Sequence, residues 1–146
     1  MHSETDDAVE KILGYAKRIA VVGASDDPWR ASYGVVATLI DHGYEVIPVN
    51  PGFEEVLGLR SYPTLADVPG DIDVVDVFRR QEHLPGVARE AADVGARALW
   101  LQVGLRSPEA RRTAEAAGMD YVEDVCLKVE VATRDRIIEL PTDVTK

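Results

Sequence analysis

Short apolar runs alternate with amphipathic stretches along most of the chain. Residues 3–16 open with Ser3 as a helix cap and carry Val9, Ile12, Leu13 and Ala16 as one stripe, which predicts a helix. The run from Ile19 to Val22, closed by Gly23, is short and apolar at every position, the pattern of a strand covered on both faces. After the loop SDDPWRA, Ser32 opens a second helical stretch bearing Val36, Leu39 and Ile40 and ended by Gly43, and YEVIPVNP supplies a second strand. Pro48 removes a ladder donor from that strand and is expected near its end. Gly52 to Gly70 reads as loop with a short helix around Thr64 to Val68.

DIDVVDVF, ending at Phe78, is the third predicted strand. It is followed by a helix whose buried face is Leu84, Val87, Ala88, Ala91 and Ala92, with Pro85 tolerated in the first turn. ARALWLQ is the fourth strand, stopped by Gly104. Ser107 and Pro108 then cap and open a helix that closes at Gly118, and DYVED is a short fifth strand. Beyond Glu130 the charged tail has no clear period, although Ile137, Ile138 and Leu140 could dock on the body. Strand and helix alternate throughout, the signature of an α/β, Rossmann-like, doubly wound three-layer domain with a mainly parallel five-stranded sheet. Right-handed crossovers are expected to give the strand order 3-2-1-4-5. The whole of 1–146 is expected to form one domain, with a core over about 17–130 and a C-terminal tail over 131–146.

Composition narrows the partners. At 146 residues there is room for one domain, and a chain of that size buries roughly 70% of its unfolded surface, enough for a core without staples. Cys126 is the single cysteine, which excludes an internal disulfide, and no Cys/His spacing suggests a metal. The opening MHSETDDAVEK is neither a signal nor a transit peptide, and no apolar run approaches the ~20 residues of a membrane span, so a cytoplasmic protein is expected. A net charge of −10 argues against nucleic acid as a partner but leaves room for a small anion in a locally basic pocket.

In such sheets ligands bind beyond the carboxyl ends of the strands, near the point where strand order reverses. The segment after the first strand, GASDDPWRASYG, is the informative one. Gly23 permits a sharp exit, Ser25 offers a hydroxyl and an N–H, and Arg30 stands just before a helix N-terminus, where backbone donors and the helix dipole favour an anion. The glycine spacing, Gly23 then Gly34, is not that of GxGxxG. The second strand ends in Val49, Asn50 and Pro51 with no carboxylate, whereas an NAD site usually places an Asp or Glu there for the ribose. Arg79 and Arg80 follow the third strand and are candidates for a nucleotide phosphate.

VVGAS, the proline and arginine before SYGV, YEVIPVNP, LG, DVVDVFR, LWLQVG and DVCLKVE occur in order at the predicted strand ends. Together they resemble the small CoA-binding protein family, which is similar to the N-terminal CoA-binding domain of succinyl-CoA synthetase α-subunits. The resemblance spans roughly residues 18–130 and implies coenzyme A or an acyl-CoA as ligand. It implies contacts at Gly23, Ala24, Ser25, Arg30 and Tyr33 for the diphosphate and adenosine, and further contacts at Asn50, Pro51, Phe78, Arg79, Gln102 and Gly104. Trp29 is a bulky departure within the phosphate loop. Asp26 and Asp27 have the wrong charge for phosphate.

Catalysis finds little support in the sequence. His2, His42 and His83 follow no strand end, and the second domain that carries the synthetase's phosphorylated histidine has no counterpart here. Cys126 is the one candidate nucleophile. Lys128, two residues later, would assist it, and Asp124 would oppose it. Three functions follow. The first is a non-catalytic CoA or acyl-CoA carrier, sensor or partner module. The second is a CoA-dependent enzyme or synthetase component acting through Cys126 or with a separate chain, separable because Cys126→Ser would abolish turnover and spare binding. The third is an NAD(H)-binding redox sensor, which ligand competition would reveal. A protein partner is compatible with the first two; oligomeric state is not readable.

Overall fold

A computed structural model describes residues 3–134. The elements run in chain order as α1 (Glu4–Tyr15), β1 (Arg18–Val22), α2 (Ala31–Asp41), β2 (Glu45–Val49), β3 (Glu55–Val56) and β4 (Leu59–Arg60), then β5 (Val74–Val77), α3 (Leu84–Asp93), β6 (Ala98–Leu101), α4 (Pro108–Ala116) and β7 (Asp120–Val122). Residues 127–134 form a further helix, α5. Local chemistry accounts for the boundaries. Ser3 and Asp6 form a reciprocal capping box on α1, and Ser107 Oγ accepts from Ala110 N at the start of α4, with Pro108 in the first turn. Gly43, Gly95 and Gly118 adopt positive φ where helices α2, α3 and α4 turn into the following strands.

β2, β1, β5, β6 and β7 form one parallel sheet in that order. Numbered as the five predicted strands, this is 2-1-3-4-5 rather than the expected 3-2-1-4-5. The third strand lies beside the first, not outside the second. The packing explains the correction. α2, between β1 and β2, buries Val35, Val36 and Leu39 on one face of the sheet together with Val9 and Ile12 of α1 and Leu127 and Val131 of α5. The connection from β2 to β5 instead buries Leu65, Val68 and Ile72 on the opposite face, where α3 and α4 also pack. A right-handed crossover on that opposite face must travel back past β1.

Pro48 carries the same information. β2 is an edge strand, and the Pro48 carbonyl points outward to accept from Tyr62 N at 3.0 Å, so the missing N–H falls on the outer side and costs no bond to β1. Tyr62 O in turn accepts from Asn50 N at 2.8 Å, which covers this end of the edge. At the far edge, Lys11 Nζ and Tyr15 Oη of α1 both bond the Asp120 carboxylate, at 2.9 and 3.0 Å.

Two further features differ from the sequence reading. The expected loop after β2 contains the two-residue hairpin β3–β4, besides a single 3-10 turn at Leu65–Asp67 capped by Thr64. The expected irregular tail beyond Glu130 continues as helix to residue 134, with Leu127 and Val131 one turn apart and buried. Ile137, Ile138, Leu140 and His2 lie outside the described residues. Among the described residues no helix is long and apolar enough to cross a membrane.

Candidate functional site

The strand order reverses between β1 and β5, and there the two strand ends nearly touch. Gly23 N donates to Val49 O of β2 at 2.9 Å, while Phe78 N donates to Val22 O at 2.8 Å, so the ladders run to the very ends of the strands. Gly23 leaves β1 with φ +89, and a β-carbon there would sit 2.1 Å from the Phe78 carbonyl oxygen. Glycine is required on both counts, conformation and space. This close approach lets a ligand lie directly on backbone at the switch point.

Two grooves meet at Gly23 and Arg79. One, about 550 Å³, is bounded by Arg30, Ser32 and Val35 of the α2 segment, Phe78, Gln102, Val103 and Leu105 after β5 and β6, and Cys126 and Lys128 at the start of α5. The other, about 400 Å³, runs toward β2 between Asn50, Pro51, Thr64 and Glu90. The first is the cationic one: Arg30, Arg79 and Lys128 line it, and among the described residues no carboxylate does. Arg30 precedes α2 without capping it by a side chain; Tyr33 N bonds Arg30 O, and Ala31 and Ser32 of that first turn bring their backbone to the groove. Lys128 Nζ lies 3.4 Å from where a β-carbon of Gly34 would be, so its ammonium hangs over that first turn. A polyanion with an apolar arm fits these walls: backbone donors and three cations for the anion, and Val35, Phe78, Val103 and Leu105 for the arm. A larger concavity of about 640 Å³ lies beyond Asn50, but it sets Glu54 and Glu55 against Arg60 alone and suits a polyanion poorly.

Of the predicted residues, Ala24, Ser25, Tyr33 and Gly104 line neither groove, while Asn50 and Gln102 both line a groove and tie its walls together. Ala24 is buried, and its carbonyl accepts from Asn50 Nδ2 at 2.8 Å, while Asn50 Oδ1 accepts from Gly52 N. Asn50 thus ties the β1 exit to the β2 exit with both ends of its amide. Ser25 Oγ accepts from Asp27 N, Asp27 Oδ1 accepts from Trp29 N, and Asp27 O accepts from Arg30 N, a chain of short bonds that shapes the loop. Asp26, unsuited to phosphate, accepts instead from Leu57 N at 2.8 Å and fastens the β3–β4 turn to this loop. Tyr33 sits half-buried in the first turn of α2 and lines neither groove. Gln102 Oε1 accepts from Leu127 N, joining β6 to α5. Gly104, with φ +87, donates its N–H to Asp124 Oδ1 at 2.7 Å, and Arg106 bonds Asp124 Oδ2 at 2.7 Å; these two donors hold the Asp124 carboxyl below its ordinary range. Asp124 is therefore committed to its own loop, and Cys126, half-buried, lines the groove that Lys128 also lines; among the described residues no histidine does.

The sequence reading did not single out Ser32, Val35 and Leu105 as site residues, or Thr64 and Glu90. Ser32 stood at a recognised helix start, and that was the available signal; Glu90 had none. Nor did the sequence reveal Asp76. In register with Val21 and Trp100, it stands in the central strand with no exposure, one row beneath Gly23, Phe78 and Gln102 on the same sheet face. Its carboxyl oxygens lack a proper hydrogen-bond partner. Burial pushes its pKa well above the ordinary range and outweighs the opposing effect of the neighbouring Val77 N–H. Among the described residues no cluster of His, Cys, Asp and Glu could hold a metal ion.

Comparison with known proteins gives consistent results. A family model described as a CoA binding domain matches residues 17–132. The protein YneT of Bacillus subtilis, itself uncharacterized, is 43% identical over 129 residues, covering 88% of this chain and 96% of that one. The α-subunit of an ADP-forming acetate–CoA ligase from Pyrococcus furiosus is 32% identical over 80 residues, 54% of this chain; the match spans only 18% of the subunit's length. Among solved structures, a hypothetical protein from Pyrococcus horikoshii superposes with a TM-score of 0.82 at 38% identity, covering 89% of this chain and 96% of that one.

Proposed function

We infer that the cleft holds coenzyme A or an acyl-CoA, because this chain belongs to the CoA-binding domain family and its walls pair cations with an apolar groove. The observation that carries the reading is the meeting of Arg30, Arg79, Lys128 and the uncapped N-terminus of α2 beside Gly23. The diphosphate would lie over Gly23 and the α2 N-terminus, held by Arg30 and Arg79, and the pantetheine arm would follow Val35, Phe78 and Leu105. When bound, the CoA thiol or thioester supplies the chemistry of acyl transfer. The residues of this chain orient and shield the ligand, and no group among them is assigned a chemical step.

In this reading the protein is a single-domain, non-catalytic binding module that carries, senses or presents CoA. A nicotinamide is disfavoured because Asn50, at the position of the usual ribose-binding acid, spends its amide on Ala24 and Gly52. A second reading is favoured by the P. furiosus relative, a ligase subunit of which this chain spans a small part: the module would present CoA to a separate catalytic chain.

The test is thermal unfolding of the reduced protein with CoA, dephospho-CoA, acetyl-CoA, NAD or ATP. A ligand at a hundred times its Kd adds about 2.7 kcal/mol, which for this size raises the midpoint by roughly 5–10 °C. CoA and acetyl-CoA are expected to give that shift, and Arg30→Ala or Arg79→Ala to reduce it. A shift with NAD and none with CoA would overturn the ligand and leave the fold.

A further inference from the structure

The loop that shapes the cleft also holds an aromatic ring out in water. Trp29 is 93% exposed, whereas the other tryptophan, Trp100, is fully buried with its indole N–H bonded to Val125 O. An indole left almost wholly in solvent gives up most of the apolar burial that the side chain offers, so its placement calls for a use outside the core. Nor is it carried on a loose segment. Trp29 N is bonded to Asp27 Oδ1 at 3.0 Å, Asp27 N to Ser25 Oγ at 3.0 Å, and Arg30 N to Asp27 O at 3.0 Å. Asp26 is fastened to Leu57 in the β3–β4 turn and Ala24 to Asn50 at the exit of β2. The backbone at Trp29 is thus fixed on both sides. The next residue, Arg30, lines the cationic groove. A planar π-face on the residue that precedes this groove-lining guanidinium matches the two halves of a nucleotide, the phosphate taken by the cation and the base by the ring.

We propose that Trp29 is a binding residue on which the purine base of the bound nucleotide stacks, closing the groove over the phosphates held by Arg30. The proposal rests on the CoA reading for the ligand's identity and adds to it the chain's own means of selecting the adenosine end. Trp29 contacts the base and leaves the pantetheine arm alone. Ligands with an adenine should therefore feel its loss, and ligands lacking one should not.

The experiment is isothermal calorimetry and tryptophan fluorescence on the full chain, wild type, Trp29→Ala and Trp29→Phe, with CoA, ADP and phosphopantetheine. With Trp100 buried, a ligand that covers Trp29 shows as a change in the solvent-exposed emission and as protection from acrylamide quenching. Trp29→Ala is expected to weaken CoA and ADP about tenfold, the scale of one base–aromatic stack, with phosphopantetheine unchanged, and Trp29→Phe to restore most of the loss. Unchanged CoA affinity in Trp29→Ala, or an equal loss for phosphopantetheine, overturns the proposal; the first would leave the ring to a protein partner and the second to loop geometry. Failure of the CoA reading looks different. ADP or ATP would then bind and cover Trp29 while CoA would not, and stacking would stand with another nucleotide as ligand. If no nucleotide binds the wild type, both fall.

Discussion

A single carboxyl sits where a parallel sheet normally admits only hydrocarbon. Asp76 pairs with Val21 and Trp100 in the middle of the sheet, is wholly buried and lacks a proper partner, so its native pKa is raised by desolvation. The unfolded chain releases this proton near pH 3.9, whereas the native state keeps it to a higher pH. The contribution of Asp76 to stability is therefore fully present below that value, and it erodes as pH climbs toward the raised native pKa. Asp76→Asn removes the titration. Its stability relative to wild type should improve with rising pH, by up to about 1.4 kcal/mol per pH unit, in urea unfolding followed from pH 5 to pH 8. A difference between the two proteins that stays constant across that range would show that Asp76 is not the titrating group. The carboxyl was hard to find in the sequence because DIDVVDVF reads as a buried strand whichever of its aspartates faces inward. Only the register against β1 and β6 tells Asp76, with no exposure, from Asp73, whose carboxylate bonds the backbone N–H groups of Lys17 and Arg18.

At the level of elements, the close approach of β1 and β5 is the joint on which the site is built. Gly23→Ala would drive a β-carbon into the Phe78 carbonyl and force an unfavourable φ, so it should cost about 2–5 kcal/mol in urea unfolding and loosen both grooves. A loss under about 1 kcal/mol would mean that the two strand ends part easily. The strands and helices themselves were largely legible, because each has either a full apolar run or a clear stripe with a cap: Ser3, Ser107 and Pro108 mark their helices as expected. The strand order was not legible from alternation alone, since that pattern is shared by both doubly wound orders. Pro48 held the missing clue, as a proline inside a run of apolar residues belongs on an edge. β3 and β4, two residues each, are too short to show a period, and α5 was hidden by charged residues around Leu127 and Val131. Of the candidate site, the strand-end rule found Gly23, Arg30, Asn50, Phe78, Arg79 and Gln102 at the cleft, while Thr64 and Glu90 arrive from the opposite face of the sheet, which chain order does not foretell.

Across the whole molecule, a net charge of −10 surrounds a groove lined by three cations. At about 0.01 M salt the Debye length, roughly 30 Å, exceeds the size of such a protein, and an approaching polyanion meets the net charge. Near 0.15 M it shortens to about 8 Å, and only the local cations remain in view. Association of CoA, followed by stopped-flow fluorescence, should therefore quicken by a few-fold between these salt concentrations. A rate that falls instead would show that the basic lip governs approach even at long range.

The covering of one end of the outer strand β2 has a consequence for how copies of this chain can meet. Strand addition, the simplest route to fibres and accidental oligomers, needs a free row of backbone donors and acceptors. On one side Pro48 has no donor to offer and Tyr62 already occupies the acceptor beside it; on the other, Lys11 and Tyr15 bring α1 against Asp120 on the last strand. Addition of a second strand is therefore blocked at the carboxyl end of β2, and a copy that paired there would first have to displace Tyr62.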